Sequence, residues 1–260
     1  MEPIGGSMSK ADRTRTAREK LAAQRAAQAA RDRRARLLMI VLGVAVAAVV
    51  IAVVVVLVAN SGDNGGKVKA TPYTGPSAPV TRNPDGSVTM AKAGVSKPVL
   101  ELFEDFQCPG CKALEASLGP TMRQLVADGK LKLVYRPFHL FQQEPLSGNS
   151  ERGANAALCV PAAQWLSFHD TLYKAQPEEG KDGFSEDDLV KWGRQLGVTD
   201  ANFEPCVRDM KQKAKVAEMT KYALETRKVE GTPTMFLDGR QLNATTKDDL
   251  TKAVQQAGGR

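Results

Sequence analysis

Pro98-Val99-Leu100-Glu101-Leu102-Phe103-Glu104-Asp105-Phe106-Gln107-Cys108-Pro109-Gly110-Cys111 is the stretch whose reading decides the fold. Its apolar first half reads as a buried strand. Lys112-Ala113-Leu114-Glu115-Ala116-Ser117-Leu118, just beyond it, has helix-forming composition. Cys108 therefore falls where a strand becomes a helix N-terminus. There, free backbone N–H groups and the helix dipole stabilise a thiolate and lower its pKa. Cys111 follows one turn later, close enough to attack a mixed disulfide formed at Cys108. The unit predicts thiol–disulfide exchange rather than a metal knuckle.

Moving outward, Ser87–Ala91 reads as a short edge strand and Leu131–Tyr135 as a second buried strand. The stretch of about 150–228 is mostly helical. Ala163–Ala175 puts Trp165, Phe168, Leu172 and Tyr173 on one face. Ser185 with Asp188 forms a capping box before Leu189, Trp192 and Leu196. A long helix is expected from about Arg208 to Arg227. Thr234–Leu237, the turn Asp238-Gly239 and Arg240–Leu242 then read as a hairpin, followed by a helix capped near Thr245 or Thr246.

Charge separates the ends of the chain. Residues 1–36 hold ten Lys and Arg against four Asp and Glu, leaving +1 of the total +7 for the remainder. The basicity belongs to a tail, and no basic patch interleaved with aromatics suggests nucleic acid. Leu37–Ala59 is a 23-residue run without a charge, behind Arg31, Arg33, Arg34 and Arg36. Its length suits a bilayer-spanning helix, and the arginines keep the N-terminus cytoplasmic. A cleaved signal peptide is the rival reading, against which the run is long and Leu57–Ala59 makes a poor small-x-small cleavage site. The expected organisation is a cytoplasmic tail (1–36), a membrane anchor (37–59), a linker (60–84) rich in Gly, Pro, Ser and Thr, and an extracytoplasmic domain (85–260).

The order Phe103-Glu104-Asp105-Phe106-Gln107-Cys108-Pro109-Gly110-Cys111, helices, then Gly231-Thr232-Pro233-Thr234 leading into a hairpin resembles the DsbA-like thioredoxin-fold oxidoreductases. It is most similar to the membrane-anchored DsbA-type proteins of actinobacteria, over about 95–258. Pro233 lies 122 positions after Cys111, a gap that argues for a helical insertion at about 140–228. The resemblance implies an α/β thioredoxin fold, with Thr232–Pro233 cis and packed on both cysteines. A proline opening that strand removes a ladder donor, leaving an edge on which a substrate chain can pair. The partners it implies are reduced exported proteins and an integral-membrane, quinone-linked reoxidase of the DsbB or vitamin-K-epoxide-reductase type. No cofactor or metal is expected.

Two positions depart from the family pattern. Related proteins carry a buried carboxylate six residues before the first cysteine, where this chain has Leu102. Glu101 and Glu104 flank it, and strand alternation is read as turning both to the opposite face; Glu104 or a water is then the candidate proton acceptor for Cys111. Pro109-Gly110 also lacks the histidine of the strongest oxidants, which implies a milder oxidant.

Cys159 and Cys206 form no second such motif; a structural disulfide joining two helices is expected, with a second redox pair as the alternative. His169 reads as a hydrogen-bonded core residue and His139 as loop packing. The expected activity is the oxidation of exported proteins through Cys108 and Cys111. A reductase or isomerase is the alternative, and a metal-binding or chaperone module the other.

Overall fold

The computed structural model describes residues 68–258. The basic tail and the apolar run 37–59 lie outside the described residues, among which no helix is long and apolar enough to cross a membrane. Six strands form one sheet: β1 (Val80–Arg82), β2 (Val88–Met90), β3 (Val99–Glu104), β4 (Lys132–Pro137), β5 (Thr234–Leu237) and β6 (Arg240–Leu242). Their order is β1-β2-β4-β3-β5-β6, with only β3 and β4 parallel among the pairs. The parallel pair needs a crossover, supplied by α1 (Pro109–Ala127). Five helices then separate β4 from β5: α2 (Leu146–Cys159), α3 (Ala162–Lys174), α4 (Glu186–Gln195), α5 (Phe203–Arg208) and α6 (Lys213–Lys221). A π-helical turn at Tyr222–Thr226 follows α6, and α7 (Lys247–Gly258) closes the domain.

β3 is central and its alternation sorts the core. Leu100 and Leu102 meet Leu118 and Met122 of α1 and Leu250 and Val254 of α7. Phe103 points the other way, against Phe138, Ala223 and Val229. A separate apolar cluster inside the helical layer takes in Phe106, Cys108 and Cys111 together with Phe168, Leu172 and Trp192. The two cysteines thus sit where the helical layer meets the end of the sheet.

Several local expectations hold. Ser185 Oγ accepts from Asp188 N at 3.2 Å, opening α4. Thr246 and Asp249 cap α7 reciprocally, Thr246 N donating to Asp249 Oδ2 at 3.2 Å and Asp249 N to Thr246 Oγ1 at 3.1 Å. Asp238 and Gly239 both have positive φ (47° and 80°), which suits a two-residue hairpin turn between strands of right-handed twist.

Three expectations need correction. The helix expected from Arg208 to Arg227 is broken: Met210 takes φ 49° between α5 and α6, and the last turn is π-helical. The strand near Ser87 is not an edge, because β1, from the segment read as linker, pairs outside it. Residues 68–84 accordingly run along the domain. Val68 and Ala70 are buried in the helical cluster, and Trp192 Nε1 donates to Val68 O at 3.1 Å. Composition signals the absence of regular structure, and docking by single side chains leaves that signature unchanged.

Candidate active site

The loop from β3 to α1 is fixed by a buried carboxylate. Asp105 accepts the N–H groups of Gln107 and Leu140, each at 2.8 Å, and the Ser150 hydroxyl. Burial raises its pKa against these three donors. Cys108 then caps α1 with extended backbone (φ −77°, ψ 117°), and Pro109 takes the opening of the helix, where its missing N–H leaves no partner wanting. Gln176 braces the turn from the helical layer, its Nε2 donating to the carbonyls of Phe106 (2.8 Å) and Cys108 (3.0 Å).

Thr232–Pro233 is cis, as the resemblance implies. The Cys108 thiol donates to the Thr232 carbonyl at 3.2 Å. Gly110 lies under the proline: a Cβ there would stand 3.2 Å from Pro233 Cδ and 3.6 Å from Cys108 Sγ. A cleft of about 440 Å³ runs past the proline, lined by Lys228 to Thr234 with Phe236 and Gln241. The expected substrate-facing pair, Thr232 and Pro233, therefore lies between the thiol and an open groove.

Both thiols are free and buried, yet their acidities diverge. Cys108 is drawn down from 9.0 to about 6 by the hydrogen bond from Cys111, with smaller help from the Thr232 side chain and the N–H groups of Cys111 and Gly110, while burial opposes. Burial pushes Cys111 well above 9.0, and the hydrogen bond to Cys108 and the charges of Cys108 and Glu104 add to it. One thiol is set up to be a thiolate and its neighbour to keep its proton.

Glu104 requires a correction. It lies on the Leu102 side of β3, as a period of two dictates, and is wholly buried. Only Glu101 turns to the other face, where it pairs with Arg136 (2.7 Å) and Arg227 (3.0 Å). Glu104 Oε1 meets His169 Nε2 at 2.9 Å. His169 is a core residue, as expected, but its partners are charged. Its Nδ1 is 3.0 Å from Asp170 Oδ1; Asp170 takes two bonds from Arg123 (2.6 and 2.8 Å), and Arg123 reaches Glu115 at 2.8 Å.

Burial lowers His169, but the Glu104 charge and the bonds to Asp170 and Glu104 carry it up to about 10. Burial lifts Glu115 to about 7. Glu104, Glu115 and His169 bring one ligand atom each within 4.8 Å of one another, though Arg123 and the imidazolium already supply positive charge there. Sequence reading missed Asp105, Gln176, Glu115, Arg123 and Asp170. A visible signal exists for two of them: Glu115 and Arg123 interrupt the stripe of Cys111, Leu118, Met122 and Val126 on the buried face of α1.

Cys159, the last residue of α2, is bonded to Cys206 in α5, with Cα atoms 5.8 Å apart. His139 packs in its loop, Nε2 at 3.1 Å from Ser147 Oγ.

This arrangement has relatives. The family described as Thioredoxin matches residues 93–256. An antiporter, "Na(+)/H(+) antiporter NhaA 3" of Salinispora tropica, is 28% identical over 157 residues, which is 60% of this chain and 22% of the antiporter. The "Putative protein-disulfide oxidoreductase" of Rickettsia bellii is 24% identical over 160 residues, 61% of this chain and 60% of that protein. The chain thus spans less than two thirds of the length of these two relatives. Among solved structures, oxidised DsbA of Mycobacterium tuberculosis is 27% identical, with a TM-score of 0.56 over 70% of this chain and 93% of the other. Family match, cysteine geometry and cis-proline agree, and the chain belongs to the thioredoxin family, as a DsbA-like member of it.

Proposed function

We propose that the chain is a thiol–disulfide oxidoreductase that introduces disulfides into exported proteins. The observation that carries the reading is the Cys108 thiol at the N-terminus of α1, 3.2 Å from the Thr232 carbonyl at the cis-proline that lines the open groove. An oxidised Cys108–Cys111 bond is attacked at Cys108 by a substrate thiolate. A second substrate thiolate then displaces Cys108, which leaves readily because its thiolate is stable. The substrate chain lies in the groove beside Thr232 and Pro233. Pro109 and Gly110 tune the pair, and Cys159–Cys206 stays outside the exchange.

The finer reading places this chemistry outside the cytoplasmic membrane. Its support is the uncharged run 37–59 behind four arginines. Reoxidation then falls to an integral-membrane, quinone-linked oxidase. Titration of the full-length chain in detergent against glutathione buffers tests the direction of exchange. The expected potential lies between thioredoxin's (about −270 mV) and that of the strongest oxidant of this type (about −120 mV). A value at or below thioredoxin's would make the protein a reductase and sink the proposal.

A further inference from the structure

The Asp105 N–H bonds the Cys111 sulfur, and the charge of Glu104, the residue before it, acts on that thiol, while the hydrogen bonds of the Glu104 carboxylate lead away from the cysteines. Its Oε1 meets His169 Nε2 with both side chains fully buried. The opposite ring nitrogen meets Asp170, whose side chain is 34% exposed. An unbroken run of hydrogen bonds therefore joins a buried carboxylate to water. Arg123 holds the outer end by its two bonds to Asp170, and lies against the ring of Tyr73, 4.8 Å from its centroid. At the inner end, Glu104 Oε2 is buried without a hydrogen-bond partner among the described residues. Imidazole suits the middle place, because it can take a proton at one nitrogen while releasing another from the second.

Cys111 needs such a route, since its thiol has no exposure of its own. When a substrate thiolate attacks Cys108, an S–S bond forms there and the Cys108–Cys111 bond breaks. Its electron pair leaves on Cys111. That buried thiolate must gain one proton, and must lose one again when the pair is reoxidised.

We propose that His169 and Asp170 are positioning residues that act through Glu104, conducting protons between the buried Cys111 thiol and solvent. In the forward direction the His169 imidazolium releases its Nε2 proton to Glu104, and Glu104 protonates the Cys111 sulfur. The neutral ring is then recharged by a proton that enters from water by way of Asp170. Reoxidation runs the same transfers backwards. The inference rests on the exchange reading of Cys108 and Cys111. Besides Glu104 and Asp170, the titratable and charged groups facing His169 are Glu115, Arg123, Tyr135 and Tyr173. Burial holds both tyrosines neutral. Cys108 and Glu115 are thus the flanking groups that titrate near neutrality.

The test is single-turnover oxidation of a reduced dithiol peptide by the full-length chain in detergent, in H2O and D2O across pH 5–9. Thiolate absorbance of Cys108 is read in parallel. His169→Gln and Asp170→Asn should each slow exchange by about tenfold, toward the low end of what a lost proton-transfer group costs. The solvent isotope effect should rise while the Cys108 midpoint stays near 6. Asp170→Glu, which keeps the acid, should restore most of the rate. Wild-type rates and isotope effects in Asp170→Asn would overturn the relay, and so would a Cys108 midpoint that moves in step with the rate. Should His169→Gln fail to fold, the Asp170 pair decides alone. Failure of the wild-type chain to exchange at all would instead remove the functional reading beneath it.

Discussion

Cys108–Cys111 and Cys159–Cys206 are two thiol pairs in one domain, placed at opposite ends of their helices. Cys108 caps the N-terminus of α1, whereas Cys159 closes the C-terminus of α2. A helix N-terminus carries partial positive charge and a C-terminus partial negative charge, so the first favours a thiolate and the second does not. Burial fails to separate them, since Cys108 and Cys206 are 6% and 9% exposed. The partners make the distinction. Around Cys108 stand a second thiol, backbone N–H groups and a cis-proline groove. At the end of α2 stand Arg82, which bonds the carbonyls of Ala157 (2.9 Å) and Val160 (2.7 Å), and a formed crosslink. A cysteine's role here is written in what faces it.

The largest effect should come from breaking the first pair. Cys108→Ala should abolish peptide oxidation, by more than about a thousandfold, because the nucleophilic centre is gone. Cys111→Ala should keep an acidic thiol and accumulate mixed disulfides with substrate, visible as non-reducing gel adducts. Should Cys108→Ala be the variant that collects adducts, the two roles are reversed.

The second pair should answer in stability alone. On the chain-entropy account, closing the loop between positions 47 apart contributes about 4 kcal/mol. Cys159→Ala/Cys206→Ala should lose about that much in denaturant unfolding while its per-molecule oxidation rate stays within twofold at 25 °C. A large rate loss in a folded double variant would make the pair a relay and erase the contrast.

Much of this contrast is legible in the chain. A strand feeding Cys108, a Gly-Thr-Pro-Thr start to β5 and the Asp238-Gly239 turn are local signals, and local signals survive in a single sequence. The docking of Val68 and Ala70 depends on side chains more than a hundred positions away, Trp192 and Gln195. The break at Met210 is of the same kind: no glycine or proline marks it, and Asn155 of α2 accepts the N–H of Gln212 at its far side. Glu104 is different. Strict alternation from Leu102 places it on the inner face, so its position was readable. What no pattern shows is that His169 of α3 meets it across the core, with Asp170 and then Arg123 of α1 in line behind.

The smallest expected effect compares one pair with itself in two redox states. In the folded dithiol form Cys108 stands at about 6, against 9.0 for an unperturbed thiol. Its folded pKa is depressed, so the stabilisation is fully present above pH 9 and is lost as pH falls through 6. The oxidised form has no such group. Glu115 and His169 are present in both forms and largely cancel in the difference. Cys111 works against the trend only above pH 9, where its raised pKa denies the folded state an ionisation that the unfolded chain gains. The stability of reduced over oxidised protein should therefore grow between pH 5.5 and 8.5, by about 2–3 kcal/mol. Guanidinium unfolding of both forms at the two pH values measures it. Cys108→Ser has no oxidised form of the pair, so its unfolding is set against that of oxidised wild type, where the slope should be absent, while Cys159→Ala/Cys206→Ala should keep it. A slope that survives Cys108→Ser would mean that the acidity belongs to another group, and that the difference between the two pairs is not one of thiolate stability.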